Sequence, residues 1–125
     1  MTERARTILV VDDDSDLLDM VQMVLEGSGY RTIGFSSGAD ALQFLAAEPV
    51  DLILLDMMMP AMDGWTFRRE QLSSPSAAHI PVVVFTGDDR AEEKAVEVTA
   101  SGYVKKPVCV ANLLKVVANA LRPGP

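Results

Sequence analysis

The chain has 125 residues, 49% of them hydrophobic, and a formal net charge of −7. One domain with a sizeable core fits that length, and the acidic balance excludes a general nucleic-acid binder, which needs a basic face. The single cysteine, Cys109, excludes an internal disulfide and leads us to expect a reducing, cytoplasmic setting.

"MTERARTILV" carries no apolar core of a signal peptide, and no apolar run approaches the length of a membrane span, so no membrane association is expected. The first apolar run, "TILVV" (Thr7 to Val11), ends in "DDD" at Asp12 to Asp14. Leu17, Leu18, Val21, Val24 and Leu25 then recur at helical spacing, with Asp14 or Ser15 as N-cap and Gly27 and Gly29 as the stop. "YRTIGF" (Tyr30 to Phe35) alternates weakly and predicts a second strand. A short helix follows on Ala41, Leu42, Phe44 and Leu45, capped by Ser36 or Ser37 and ended before Pro49.

"DLILL" (Asp51 to Leu55) and "PVVVF" (Pro81 to Phe85) are continuous apolar runs of the kind that parallel strands show when both faces are buried. Helices are predicted after them, over Trp65 to Leu72 and Asp88 to Ala100. "GYVKK" (Gly102 to Lys106) is a weaker fifth strand. Val110, Leu113, Leu114, Val117 and Leu121 mark the last helix before "RPGP". Five β-α units in a row predict an α/β fold with a parallel sheet covered by helices on both faces. In such sheets ligands bind beyond the carboxyl ends of the strands, where the strand order reverses.

That rule selects residues. Strand one ends at Asp12 and Asp13, strand three at Asp56, strand four at Thr86 before Gly87, and strand five at Lys106 before Pro107. Taken singly, each has a plain reading: "DDD" as capping and solvation, Asp56 as a turn residue, Lys106 as a surface charge. Together at one edge they form a different object. Three carboxylates raise one another's pKa values unless a cation joins them, and a hard ion such as Mg²⁺, or Mn²⁺ in its place, accepts that ligand set. A carboxylate, a metal, a lysine and a hydroxyl are what phosphoryl transfer to an aspartate requires. Asp56, alone at a central strand end, is the candidate nucleophile; Asp12 and Asp13 are candidate metal ligands.

Four stretches carry a resemblance: "ILVVDDD" (Ile8 to Asp14), "DLILLDMMMPAMDG" (Asp51 to Gly64), "PVVVFTG" (Pro81 to Gly87) and "GYVKKP" (Gly102 to Pro107). In that order they resemble the receiver domain of two-component response regulators, chemotaxis-regulator-like, over essentially the full chain. The resemblance implies a flavodoxin-like, doubly wound five-stranded sheet of order 2-1-3-4-5 with five flanking helices. It implies that Asp56 takes a phosphoryl group from a histidine kinase, a phosphotransfer protein or a small phosphodonor. Asp12 and Asp13, with the main-chain carbonyl of Met58, would hold Mg²⁺. Lys106, rather than Lys105, would pair with the phosphoryl oxygens, because the lysine of the family directly precedes the proline. Thr86 would be the switch hydroxyl and Tyr103 the switch aromatic, and the Lys106–Pro107 bond would be cis. Phosphorylation would shift a face spanning roughly Arg90 to Leu121 toward a downstream protein or domain. Such a protein is not a conventional enzyme; it would catalyse its own phosphorylation and autodephosphorylation, as a monomer or a phosphorylation-dependent dimer. Residues 1–122 are expected to form the domain and 123–125 a tail or linker stub.

The departures are "VTAS" before Gly102, apolar Met58 two residues past Asp56, and acidic Asp88 two residues past Thr86. The competing readings are a pseudo-receiver acting as a constitutive interaction module, which usually lacks one of the set Asp12, Asp13, Asp56, Thr86 and Lys106, and an aspartyl phosphatase, which would need an acid at position 58. Of the rest, Met57 to Met59 and Trp65 read as packing, His79 as a loop residue, Cys109 as a small buried residue and Arg68 and Arg69 as a solvated face. Glu92 to Lys94 read as solvent face or partner contact.

Overall fold

A computed structural model describes residues 5–122; the expected stub at 123–125 lies outside the described residues. Ten elements alternate: β1 (Thr7–Val11), α1 (Ser15–Gly27), β2 (Arg31–Phe35), α2 (Gly38–Ala47), β3 (Leu52–Asp56), α3 (Gly64–Leu72), β4 (Val82–Thr86), α4 (Ala91–Glu97), β5 (Gly102–Lys105) and α5 (Val110–Leu121). The five strands form one parallel sheet in the order β2-β1-β3-β4-β5.

The apolar runs explain the layering. Side chains alternate across a strand, so a run with no polar break must be covered on both sides. Leu9, Val11, Ile53, Leu55, Val82 and Val84 face one way, onto Ala41 of α2, Phe67 of α3 and Ala95 of α4. Ile8, Val10, Leu52, Leu54, Val83 and Phe85 face the other way, onto Leu18 and Val21 of α1 and Leu113 and Val117 of α5. Right-handed crossovers give this division. The chain steps one way from β1 to β2 and the opposite way through β3, β4 and β5, so α1 lies on one face and α2, α3 and α4 on the other.

The caps of α1, α2 and α3 are built from side chains. Asp14 accepts a hydrogen bond from the Leu17 N–H, Ser37 from Asp40 and Asp63 from Thr66. Asp14, not Ser15, is therefore the first cap. The fourth helix is shorter than its expected span from Asp88 to Ala100. Residues 88–90 form a turn in which the Arg90 N–H bonds the Asp88 carboxylate, and Thr99, at φ +52°, ends the helix at the far side. None of the described helices is long and apolar enough to cross a membrane.

Candidate functional site

β1 lies between β2 and β3, and the chain leaves it in one direction and returns on the other side. The carboxyl ends of β1 and β3 thus flank the point where strand order reverses, and nothing crosses over it. Asp12 and Asp13 follow β1 there, and Asp56 is the last residue of β3. Each offers a carboxylate oxygen, and the three oxygens lie within 4.8 Å of one another. Asp12 and Asp56 are buried, whereas Asp13 is exposed.

Local backbone geometry fixes these groups. Asp12 Oδ1 accepts a hydrogen bond from the Asp14 N–H at 2.9 Å, and Asp56 Oδ1 one from the Met58 N–H at 3.1 Å. Lys106, just past β5, places its Nζ 2.9 Å from Asp12 Oδ2 and 3.6 Å from Asp56 Oδ2. The first contact is an ion pair without hydrogen-bond alignment, so Asp12 Oδ2 is buried and accepts no hydrogen bond. The ammonium also lies 5.0 Å from the centre of the Phe85 ring. Thr86 is buried at the end of β4, where its hydroxyl accepts a hydrogen bond from the Asp88 N–H at 3.3 Å. The Lys106–Pro107 bond is cis.

The electrostatics follow from this crowding. Burial pushes the Asp56 carboxyl up to about 6; the Met58 N–H opposes that rise, the Asp12 charge adds to it and Lys106 opposes it. Burial also works against the charge on Lys106, but the carboxylates of Asp12 and Asp56 outweigh it and hold the ammonium above its ordinary range. Three carboxylates face one ammonium, and the buried Asp12 Oδ2 has that ion pair but no hydrogen bond. That set fits a hard divalent cation, which takes oxygen ligands at short range and keeps water in its remaining positions.

The loop from 57 to 64 closes the cleft beside Asp56. Met57 and Met59 point into the core, whereas Met58 is 60% exposed. The Gly64 N–H bonds the Met57 carbonyl at 3.0 Å. A Cβ on Gly64 would stand 2.8 Å from Met57 Cα, so only glycine permits this closure.

The structure thus brings Asp12, Asp13, Asp56 and Lys106 together, with Thr86 at the neighbouring strand end. Tyr103 stands apart on β5 and is 39% exposed. His79 is exposed in the loop before β4, and Trp65 packs against the core. Three expectations need correction. Cys109 is exposed, because it occupies the cap position ahead of α5 rather than a place on its buried stripe. Arg68 is buried, with its guanidinium bonded to Val98 O at 2.9 Å, Thr99 O at 3.2 Å and Gln71 Oε1 at 2.8 Å. Lys94 is buried as well and paired with Asp88 at 2.8 Å.

Comparison with known proteins accords with this geometry. Residues 8–118 match the family model described as the response regulator receiver domain. The transcriptional regulatory protein GltR of Pseudomonas aeruginosa is 31% identical over 124 residues, which are 98% of this chain and 51% of GltR. The response regulator PleD of Caulobacter vibrioides is 38% identical over 103 residues, 81% of this chain and 23% of PleD. This chain therefore spans about half or less of the curated relatives it matches. Among solved structures, the chemotaxis protein CheY4 of Vibrio cholerae superimposes with a TM-score of 0.85 at 28% identity, covering 94% of this chain and 100% of that one.

Proposed function

The chain belongs to the response regulator receiver domain family, and we propose that it works as a phosphorylation-activated signalling switch with Asp56 as phosphoacceptor. The observation that carries this reading is the convergence of Asp12, Asp13, Asp56 and Lys106 at the reversal of strand order. Asp12, Asp13, Asp56 and the Met58 carbonyl would hold Mg²⁺, which when bound neutralises the carboxylates and the phosphoryl oxygens.

In the proposed reaction an oxygen of the Asp56 carboxylate bonds to phosphorus. The bond from phosphorus to the leaving group breaks, and that group, a kinase imidazole or acetate, departs with the electron pair. At neutral pH Asp56 is in its nucleophilic, ionised form, since its pKa lies near 6. The Lys106 ammonium already stands 3.6 Å from Asp56 Oδ2 and would pair with a phosphoryl oxygen there. Thr86 would donate its hydroxyl to another, giving up its present bond to the Asp88 N–H. The movement of Thr86, with that of Tyr103, would shift the population of the α4, β5 and α5 face toward its output-binding form. Water attack on the aspartyl phosphate would return the resting state.

The test is intact mass after incubation with acetyl phosphate and Mg²⁺. The wild-type chain should gain one phosphoryl group and Asp56→Asn none. No gain with any donor would favour the pseudo-receiver, in which the acid cluster has no chemical role.

A further inference from the structure

The contacts of Thr86 continue beyond the cleft. Its hydroxyl is held by the Asp88 N–H. Both carboxylate oxygens of Asp88 are engaged toward α4: Oδ1 accepts from the Arg90 N–H at 2.7 Å and Oδ2 from Lys94 Nζ at 2.8 Å. Lys94 is only 2% exposed, and Asp88 is its one ion-pair partner among the described residues. The same ammonium lies 5.5 Å from the centre of the Trp65 ring on α3. Trp65 in turn donates its indole N–H to Glu97 on α4 at 3.4 Å.

A buried ammonium requires a nearby carboxylate, so Lys94 and Asp88 constrain each other strongly. Arg90, at the cap position of α4, makes no side-chain cap bond, which leaves Asp88 to order this turn. The links Thr86–Asp88, Asp88–Lys94 and Lys94–Trp65 therefore form a continuous physical path from the cleft to the surface between α3 and α4. That path does not pass through Tyr103.

We propose that Lys94 is a positioning residue of this switch: it fixes Asp88, and with it the resting hydroxyl of Thr86, and it passes the displacement of Thr86 to Trp65. The proposal rests on the reading of Thr86 as the hydroxyl that moves to the phosphoryl group. Release of Thr86 from the Asp88 N–H loosens the 88–90 turn, the Asp88–Lys94 pair shifts, and the cation over the indole shifts with it.

Trp65 is the single tryptophan of the chain, so its emission reports this contact. Emission of the full chain is recorded before and after acetyl phosphate and Mg²⁺, with loading measured by intact mass on the same samples. The wild type should load and change its emission. Lys94→Met should load equally and lose the emission change. Asp88→Asn keeps an acceptor for Arg90 and removes the charge facing Lys94; it should behave likewise, and it decides the matter if Lys94→Met does not fold. A lysine that merely stabilised α4 would lower the melting temperature and leave the response intact. A loaded wild type with unchanged emission, or a full response in a folded variant, overturns the proposal. A wild type that never loads overturns the proposed function instead, and hydrogen exchange at the Asp88 amide then decides the positioning role alone. Faster exchange in the variants than in the wild type upholds that role; equal exchange ends it.

Discussion

Arg68 lies beneath α3 with all three guanidinium nitrogens bonded, to Val98 O, Gln71 Oε1 and Thr99 O. Gln71 completes that cluster by donating to Ala77 O and Ile80 O. Asp12 is as deeply buried, yet its Oδ2 accepts no hydrogen bond, and it shares a single ammonium with Asp56. Both regions remove charge from water, which is costly unless the charge is matched. The Arg68 cluster is satisfied by hydrogen bonds to neutral oxygens and ties α3 to the end of α4 and to the loop before β4. The cleft is short of positive charge and of donors, so it gains from whatever supplies them. Saturated polar groups mark a scaffold; an undercompensated set at the end of a sheet marks a place prepared for a ligand.

Removing charge should therefore have opposite signs in the two regions. Arg68→Met would leave the buried Gln71 Oε1 without its donor and remove the ties to Val98 O and Thr99 O, and should cost about 3 kcal/mol. In thermal melts this would appear as a fall of about 10 °C; an unchanged melting temperature would break the contrast. Asp56→Asn should do the reverse and stabilise the metal-free protein at neutral pH by about 3 kcal/mol, since burial raises the folded-state pKa from 3.8 to about 6. The sign is set by proton uptake. Well below the unfolded value of 3.8 the carboxyl is protonated whether folded or unfolded and contributes nothing. As pH rises toward 6 the unfolded chain ionises first, so wild-type stability falls. The advantage of Asp56→Asn should grow across that window and stay level above it, as denaturant melts at a series of pH values would show.

Mg²⁺ should offset the same deficit. At about ten times its Kd it should add roughly 1.4 kcal/mol to wild-type stability by mass action. Asp13→Asn, an exposed change, should fold normally and lose most of that gain. Equal stabilisation of both proteins would place the ion elsewhere. The smallest effect is expected at Met58, whose exposed side chain stands two residues past Asp56. If its apolar group slows water attack on the phosphoryl group, Met58→Asn should speed autodephosphorylation about threefold, less than 1 kcal/mol of barrier. An unchanged rate would remove Met58 from the account of phosphoryl lifetime.

The cleft was legible in the sequence because its residues sit at strand ends, and strand ends are marked by unbroken apolar runs that stop abruptly. Asp56 after "LILL" needs no knowledge of distant contacts to be placed. Arg68 and Lys94 were misread because residue type was weighed above position. Gly64, Phe67, Arg68 and Gln71 follow the i, i+3, i+4, i+7 spacing of an inward stripe, as do Ala91, Lys94, Ala95 and Val98. The periodicity placed both cations inside. What the sequence did not disclose was their compensation: the carbonyls of Val98 and Thr99 lie about thirty residues from Arg68 along the chain. Cys109 failed for the complementary reason, being an apolar type at a cap rather than on a stripe.

Gly64 has a consequence for how this protein would appear in a mutational scan. It bears no side chain and can take no part in phosphoryl chemistry. Any replacement nevertheless pushes against the Met57 main chain, which is covalently joined to Asp56. Variants there should impair phosphoryl uptake at Asp56 although every charged residue is retained. In a tolerance map Gly64 would be indistinguishable from a catalytic position, although what it supplies is room.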